Sequence, residues 1–280
     1  MYINGTDGWK SFGLLDSGDG YRLERWGDFT LARPDPQVIW EKSHPELWER
    51  ADATFRNDTW EGKPLPESWE LTFEDLSFVV RPTNFKHTGI FPEQAANWVW
   101  MRERLNGLER PSVMNLFAYT GAASMVLAKA GVFVTHVDAS RPALNWAKEN
   151  QEKNGLPADS VRWMLEDAAK FVKKEVRRGE KYQGIVLDPP AFGHGPSGSV
   201  WKFNRDVPSM LRDCANMLSD DAKFLLVNAY ATNSSPLALR YVLEDVVRTR
   251  GGSVEEGELC LGQKDGRLVS VGIFARWTSK

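Results

Sequence analysis

Between residues 92 and 248 the chain repeats one grammar: after a leading helical stretch, a short apolar run is followed by another helical stretch, five times. The runs at 113–119, 132–137, 161–165, 184–187 and 224–227 have strand length. The stretches at 92–105, 122–129, 140–154, 168–178, 207–218 and 236–248 read as helices. Pro92 and Pro142 suit first helical turns, Ser140 suits an N-cap, and Gly131 and Gly155 suit stops. Strands alternating with helices predict a parallel sheet covered on both faces. Runs at 257–261 and 267–274 predict a closing antiparallel pair. Such sheets bind ligands outside the carboxyl ends of their strands, where the strand order switches. The residues that follow each strand are therefore the candidates for chemistry.

The first 85 residues lack this alternation. Extended segments at 21–31, 69–73 and 77–81 are broken by Arg33-Pro34-Asp35-Pro36 and by the loop Glu61-Gly62-Lys63-Pro64-Leu65-Pro66. The expected organisation is a β-rich domain at 1–85 and an α/β domain at 86–280. Eight of the twelve tryptophans fall in the first hundred residues. They read as packing aromatics, with a base-stacking platform as the sharper alternative. The apolar and charged fractions, 42% and 26%, exclude a disordered or fibrous chain. No apolar run reaches the roughly 20 residues that cross a bilayer, and no signal peptide opens the sequence. Two cysteines give neither a disulfide framework nor metal-ligand spacing. The expectation is a soluble cytoplasmic protein with no metal and no membrane. The net charge of −3 argues against nonspecific coating of nucleic acid. Residues 1–110 carry 13 basic and 19 acidic side chains, and the rest carry 22 and 19, which allows a local basic surface on the C-terminal part.

Asp138 ends the second strand, 17 residues past Gly121. A carboxylate there hydrogen-bonds the ribose hydroxyls of a nucleoside cofactor. The first turn, Phe117-Ala118-Tyr119-Thr120-Gly121, narrows the choice. A dinucleotide turn uses three glycines to let backbone amides approach pyrophosphate. A single glycine after two bulky rings crowds pyrophosphate out. S-adenosylmethionine, which has no phosphate, fits, and a dehydrogenase is the least favoured reading. After the fourth strand comes Asp188-Pro189-Pro190-Ala191-Phe192. Its prolines fix the backbone and remove two donors, leaving an acceptor-rich rim suited to an amine or ring N–H. Phe192 can stack on a planar base drawn from its helix. The plainer alternative is a rigid strand exit with Phe192 in the core. Gly193-His194-Gly195-Pro196-Ser197-Gly198-Ser199 reads as a mobile lid, with His194 a base, a phosphate contact or an ordinary loop histidine. Lys170, Lys173, Lys174, Arg177, Arg178 and Lys181 read as a solvated helix end favoured by the dipole, or else as a phosphate contact. Cys214 and Cys260 read as buried packing residues.

The run Asn115-Leu116-Phe117-Ala118-Tyr119-Thr120-Gly121, with Val137-Asp138-Ala139-Ser140, Ala143-Leu144, Asn150, Asn154, Asp167 and the Asp188-Pro189-Pro190-Ala191-Phe192 stretch, resembles the S-adenosylmethionine-dependent ribosomal RNA methyltransferases of bacteria. Those enzymes modify large-subunit RNA at a cytosine carbon or a guanine nitrogen. His87-Thr88-Gly89-Ile90-Phe91-Pro92-Glu93-Gln94 is similar to the family's T-G-x-x-x-x-Q segment, although Ala95 stands where arginine often follows. The resemblance implies a Rossmann-like methyltransferase domain behind the β-rich extension. It puts Gln94, Phe117, Tyr119, Thr120 and Gly121 at the methionine and sulfonium end. Asp138, with Ala139 beside it, holds the ribose, and Asp167 and Ala168 meet the adenine. Asp188, Pro189 and Phe192 form the catalytic, acceptor side. RNA is the implied partner, though residues 1–85 do not look like the family's small RNA-binding domain. The cytosine-C5 members place a cysteine just past the fifth strand, where this chain has Tyr230. Methylation on nitrogen, without a covalent intermediate, is the expectation. Two alternatives stand: methylation of a small molecule or protein side chain, and a non-catalytic cofactor-binding interaction module.

Overall fold

The computed structural model describes residues 1–194 and 200–280. The chain forms two compact units. One comprises Ile3–Ala96 and Leu259–Val271, and the other Met1–Tyr2, Asn97–Glu258 and Gly272–Lys280. The elements begin with β1 (Tyr2–Asn4), β2 (Phe12–Gly18), β3 (Tyr21–Trp26), β4 (Phe29–Pro34), α1 (Pro45–Trp48), β5 (Ala53–Arg56), β6 (Thr59–Gly62), β7 (Trp69–Phe73) and β8 (Leu76–Val80). Strands β2 to β6 form a sheet in sequence order, antiparallel except that β5 returns parallel to β4. A parallel return needs a crossover, and the segment carrying α1 provides it. β7 and β8 pair as a separate hairpin. Trp9 and Trp26 are buried here, with Trp9 5.2 Å from Phe73 and Trp26 5.0 Å from Phe12, centroid to centroid.

A 3-10 turn at Pro92–Gln94 leads into α2 (Ala95–Leu105). The alternation follows: β9 (Ser112–Leu116), α3 (Ala122–Lys129), β10 (Phe133–Asp138), α4 (Arg141–Lys153), β11 (Val161–Leu165), α5 (Ala168–Arg178), β12 (Gly184–Leu187), β13 (Phe192–His194), β14 (Val200–Lys202), α6 (Phe203–Asn216), β15 (Phe224–Ala229), α7 (Pro236–Val247), β16 (Ser253–Gly262) and β17 (Leu268–Thr278). Eight strands form one sheet in the order β1-β16-β17-β15-β12-β9-β10-β11. The five from β15 to β11 are parallel, and β17 runs antiparallel to β15. This is the parallel sheet with a closing antiparallel pair that the sequence predicts.

Alternation along the strands explains the packing. Met114 and Leu116, Ile185 and Leu187, and Leu225 and Val227 share a buried cluster with Phe171 of α5, Val207 and Leu211 of α6, and Leu239 and Leu243 of α7. α6 begins at Phe203 rather than 207, because Phe203, Val207, Met210 and Leu211 form one buried stripe at helical spacing. Pro208 therefore sits inside the helix. Register aligns Leu187 with Leu116 and Leu116 with Val137, so the carboxyl ends of β12, β9 and β10 are level. The chain leaves β9 on one side for β10 and β11 and returns on the other side as β12. That is the switch point.

Candidate functional site

The turn after β9 departs from ordinary backbone. Phe117, Tyr119 and Gly121 have φ of 57°, 51° and 84°. The left-handed region costs a side-chain-bearing residue about 1–2 kcal/mol, so something must hold Phe117 and Tyr119 there. Asp138 does part of this: its Oδ2 accepts from the Tyr119 amide at 2.8 Å. The Ala118 amide donates to the Val137 carbonyl at 3.1 Å, and Asn150 Nδ2 donates to the Thr120 carbonyl at 2.9 Å. A side chain at Gly121 would put its Cβ 2.9 Å from Ala147 Cβ, so only glycine lets α4 lie this close. Beneath the turn, Asn115 Nδ2 donates to Ser124 Oγ at 3.0 Å, and Ser124 Oγ meets His136 Nδ1 at 3.0 Å. Burial drives His136 down to about 3, so it is neutral at physiological pH.

Asp138 is half-buried. Its Oδ1 accepts from the Ser140 amide at 2.8 Å. Burial pushes its carboxyl above the ordinary aspartate range, against the two amides that hold it down. A carboxylate offers about four lone-pair positions, and the two amides leave room for vicinal hydroxyls. Ala139, beside it, is exposed. Burial, with Asp138 nearby, pushes the Tyr119 phenol up to about 12. At the end of β11, Asp167 caps α5 by accepting from the Lys170 amide at 2.9 Å, and Ala168 is buried in the first turn. Thr120 and Gly121 are buried and Phe117 is half-buried. Gln94 is buried at the end of the Pro92–Gln94 turn and belongs to the other compact unit. The one-glycine turn, the half-buried Asp138 and the absence of a side-chain cap on α3 fit a phosphate-free nucleoside cofactor with a carboxylate tail.

After β12, the Asp188 amide extends the ladder to the Leu116 carbonyl at 3.3 Å. Pro189 is buried and Pro190 exposed. Phe192 is 53% exposed, so the reading of it as core does not hold. The acceptor-rich rim is narrower than its sequence suggests. Trp201 Nε1 donates to the Pro190 carbonyl at 2.7 Å, and the Phe203 amide donates to the Ala191 carbonyl at 3.1 Å. Trp201 is a site neighbour that sequence reasoning missed. Its ring lies 5.4 Å from that of Phe117, so one side chain touches both the 117–121 turn and the 188–192 stretch. It is placed there by the β13–β14 hairpin, which pairs Phe192 with Lys202 and Gly193 with Trp201. The expected lid at 193–199 falls mostly on residues 195–199, outside the described residues, and its flanks are strands.

At the fifth strand end, Asn228 Oδ1 accepts from Asn97 Nδ2 at 3.0 Å, and Arg276 donates to Asn97 Oδ1 at 3.1 Å. Tyr230 packs on Gly272, where a Cβ would lie 2.7 Å from its ring. Cys214 is buried in α6 and its thiol is pushed well up by burial. Cys260 is buried in the other unit. Three of the six cluster residues have these partners: Lys174 binds Glu166 at 2.7 Å, Arg178 binds Glu175 at 2.7 Å, and Lys181 donates to the Asn216 carbonyl at 2.7 Å. A solvated, internally paired face describes it better than a row of phosphate contacts. Among the described residues no three metal-binding side chains cluster, and no helix is long and apolar enough to cross a membrane.

A family model described as S-adenosylmethionine-dependent methyltransferase matches residues 43–252. A crystal structure of the SAM-dependent methyltransferase from Agrobacterium tumefaciens superposes with a TM-score of 0.96 at 40% identity, covering 100% of this chain and 94% of that one. Ribosomal RNA large subunit methyltransferase K/L of Shewanella frigidimarina is 31% identical over 153 residues, 54% of this chain and 21% of that protein. Ribosomal RNA large subunit methyltransferase I of Photobacterium profundum is 27% identical over 163 residues, 58% and 40% of the two chains. The matches thus span between a fifth and two fifths of these two ribosomal RNA relatives.

Proposed function

The chain belongs to the S-adenosylmethionine-dependent methyltransferase family, and from that premise we propose that it methylates a base nitrogen in ribosomal RNA, in the cytoplasm. The observation that carries the geometry is the level row of strand ends. Asp138 and Asp188 each stand one residue past that row, on the strands flanking β9. Two strand spacings separate them, about 10 Å, so a nucleoside can lie across β9 with its ribose at one aspartate and its reacting end toward the other.

Asp138 would accept from both ribose hydroxyls, and Asp167 with Ala168 would border the adenine. The amides at the start of α3 would take the methionine end, and the 117–121 turn would line the sulfonium. When bound, the cofactor supplies a methyl group already activated by positive sulfur. The protein's task is then to position and to manage one proton. Asp188 would accept the N–H of the base, aim the nitrogen lone pair and take the proton released on methylation. Phe192, exposed beside it, would stack on the base. Pro189 fixes the backbone between them, and Trp201 holds the Pro190 carbonyl so that the rim keeps its shape. No covalent step is assigned to the enzyme. Tyr230 rather than cysteine follows β15, and the buried Cys214 thiol is held protonated. Support for RNA comes from the names of the partial relatives, and support for nitrogen comes from the missing cysteine.

Mass spectrometry of ribosomal RNA nucleosides from a deletion strain tests this. Loss of one N-methylated nucleoside, restored by the intact gene and not by Asp188→Ala, is the expected result. An unchanged set of nucleosides overturns RNA as the substrate. Trapping of the protein on RNA that carries 5-fluorocytidine overturns the nitrogen assignment.

A further inference from the structure

A cavity of about 270 Å³ lies in the N-terminal unit, between the five-stranded sheet and the crossover joining β4 to β5. Register pairs Leu23 with Ala32 and Ala32 with Thr54, so Ala32 and Thr54 share one sheet face. Tyr21 and Arg56, each two residues along its strand, share it too. The floor is made of Ala32, Ala51 and Thr54. These small side chains leave the hollow open. The walls are two aromatic rings, each under a cation. Lys42 Nζ lies 4.4 Å from the Trp48 centroid, and Arg56 Cζ lies 5.9 Å from that of Tyr21. The Trp48 indole is held in orientation by donating to Asp16 Oδ2 at 2.8 Å. Asp19 stands 3.6 Å from the Lys42 ammonium.

Stacking faces beside cations, around a space that takes one planar base, are the chemistry of a nucleotide site. We propose that this cavity binds a single unpaired nucleotide of the substrate RNA, with its base on Trp48 and its phosphate on Arg56. The proposal rests on the RNA reading above. A base entering over Trp48 displaces Lys42 toward Asp19, which neutralises it, so Arg56 is the one cation left for phosphate. Binding here is carried by stacking rather than by charge. That accords with an N-terminal region that is itself acidic, 13 basic against 19 acidic side chains in residues 1–110.

The test uses the full chain and a labelled, unstructured 12-nucleotide RNA, with affinity read by fluorescence anisotropy between 50 and 200 mM salt. Arg56→Ala is expected to reduce the log–log salt slope by about 0.7, one single-strand phosphate. Trp48→Leu is expected to weaken binding by roughly 5- to 150-fold at an unchanged slope. Ala51→Met, which fills the hollow without touching Trp48's partner Asp16, should weaken binding in the same direction. Wild-type methylation of ribosomal RNA from the deletion strain is measured alongside. If the wild type binds and methylates RNA while all three variants bind like it, the cavity assignment falls and the RNA reading stands. If the wild type neither binds nor methylates RNA, both fall. If uridine monophosphate binds more tightly than the 12-mer and loses that affinity in Trp48→Leu, the site belongs to a free nucleotide, and the RNA assignment is overturned.

Discussion

In the proposed site Asp138 would serve two demands with one carboxylate. It would have to be ionised to accept ribose hydroxyls, yet burial works against its ionisation and two backbone amides oppose that. Asp138→Ala should weaken S-adenosylmethionine binding by about 1.5–3 kcal/mol, the scale of hydrogen bonds to a charged group, as read by calorimetry. An unchanged affinity removes Asp138 from the ribose site. The pH dependence has a definite sign. The free enzyme's carboxyl titrates above the ordinary aspartate range, and bound hydroxyls favour its ionised form. Cofactor affinity should therefore fall on acidification, starting at a higher pH than an ordinary aspartate gives. Trp201 is tested by splitting its two contacts. Trp201→Phe keeps a ring against Phe117 and loses the bond to the Pro190 carbonyl. It should leave cofactor affinity intact and lower acceptor-dependent turnover by roughly 2- to 10-fold, one hydrogen bond's worth. Trp201→Ala should reduce both. Equal effects of the two variants on cofactor affinity would show that the ring contact with Phe117 has no separate role. The place of Asp138 at a strand end is legible in the sequence because strand order and spacing point to it. That of Trp201 is not, because its meaning depends on a backbone carbonyl eleven residues earlier and on a hairpin of three-residue strands.

At the scale of elements, the reading succeeded where periodicity is long and failed where contacts are non-local. The five parallel strands and their helices announce themselves by alternating apolar runs with helical stripes. The parallel return of β5 to β4 has no local signature, since it is a choice of neighbour rather than of conformation. α6 begins at Phe203, four residues before the expected 207, because the buried stripe from Phe203 decides its start. Asp167 shows how an element's end can confuse assignment. It caps α5 and is also proposed to border the adenine. Asp167→Ala should cost about 1 kcal/mol of stability through the lost cap. Asp167→Ser should restore the cap and hence the melting temperature. If Asp167 also meets adenine, the serine variant stays stable but binds cofactor more weakly. If serine restores both stability and affinity, Asp167 is a cap alone.

For the molecule as a whole, the chain passes between its two compact units four times: after Tyr2, after Ala96, after Glu258 and after Val271. The last two passages flank the tip of the β16–β17 hairpin. Leu259 and Leu261 in that tip are buried, the Gly5 amide donates to the Cys260 carbonyl at 2.9 Å, and Gln263 bridges in parallel to Leu14 and hydrogen-bonds Ser17. Replacing Leu259–Val271 by a two-residue turn should lower the melting temperature of the N-terminal strands and spare cofactor binding. Loss of cofactor binding in a variant whose parallel sheet stays folded would refute that separation. The same threading bears on descent. No single cut in the gene separates one unit from the other, because thirteen residues of the first are written inside the coding stretch of the second. Neither can be gained, lost or exchanged by one recombination event, so the two must be inherited together, and changes in one are selected in the company of the other.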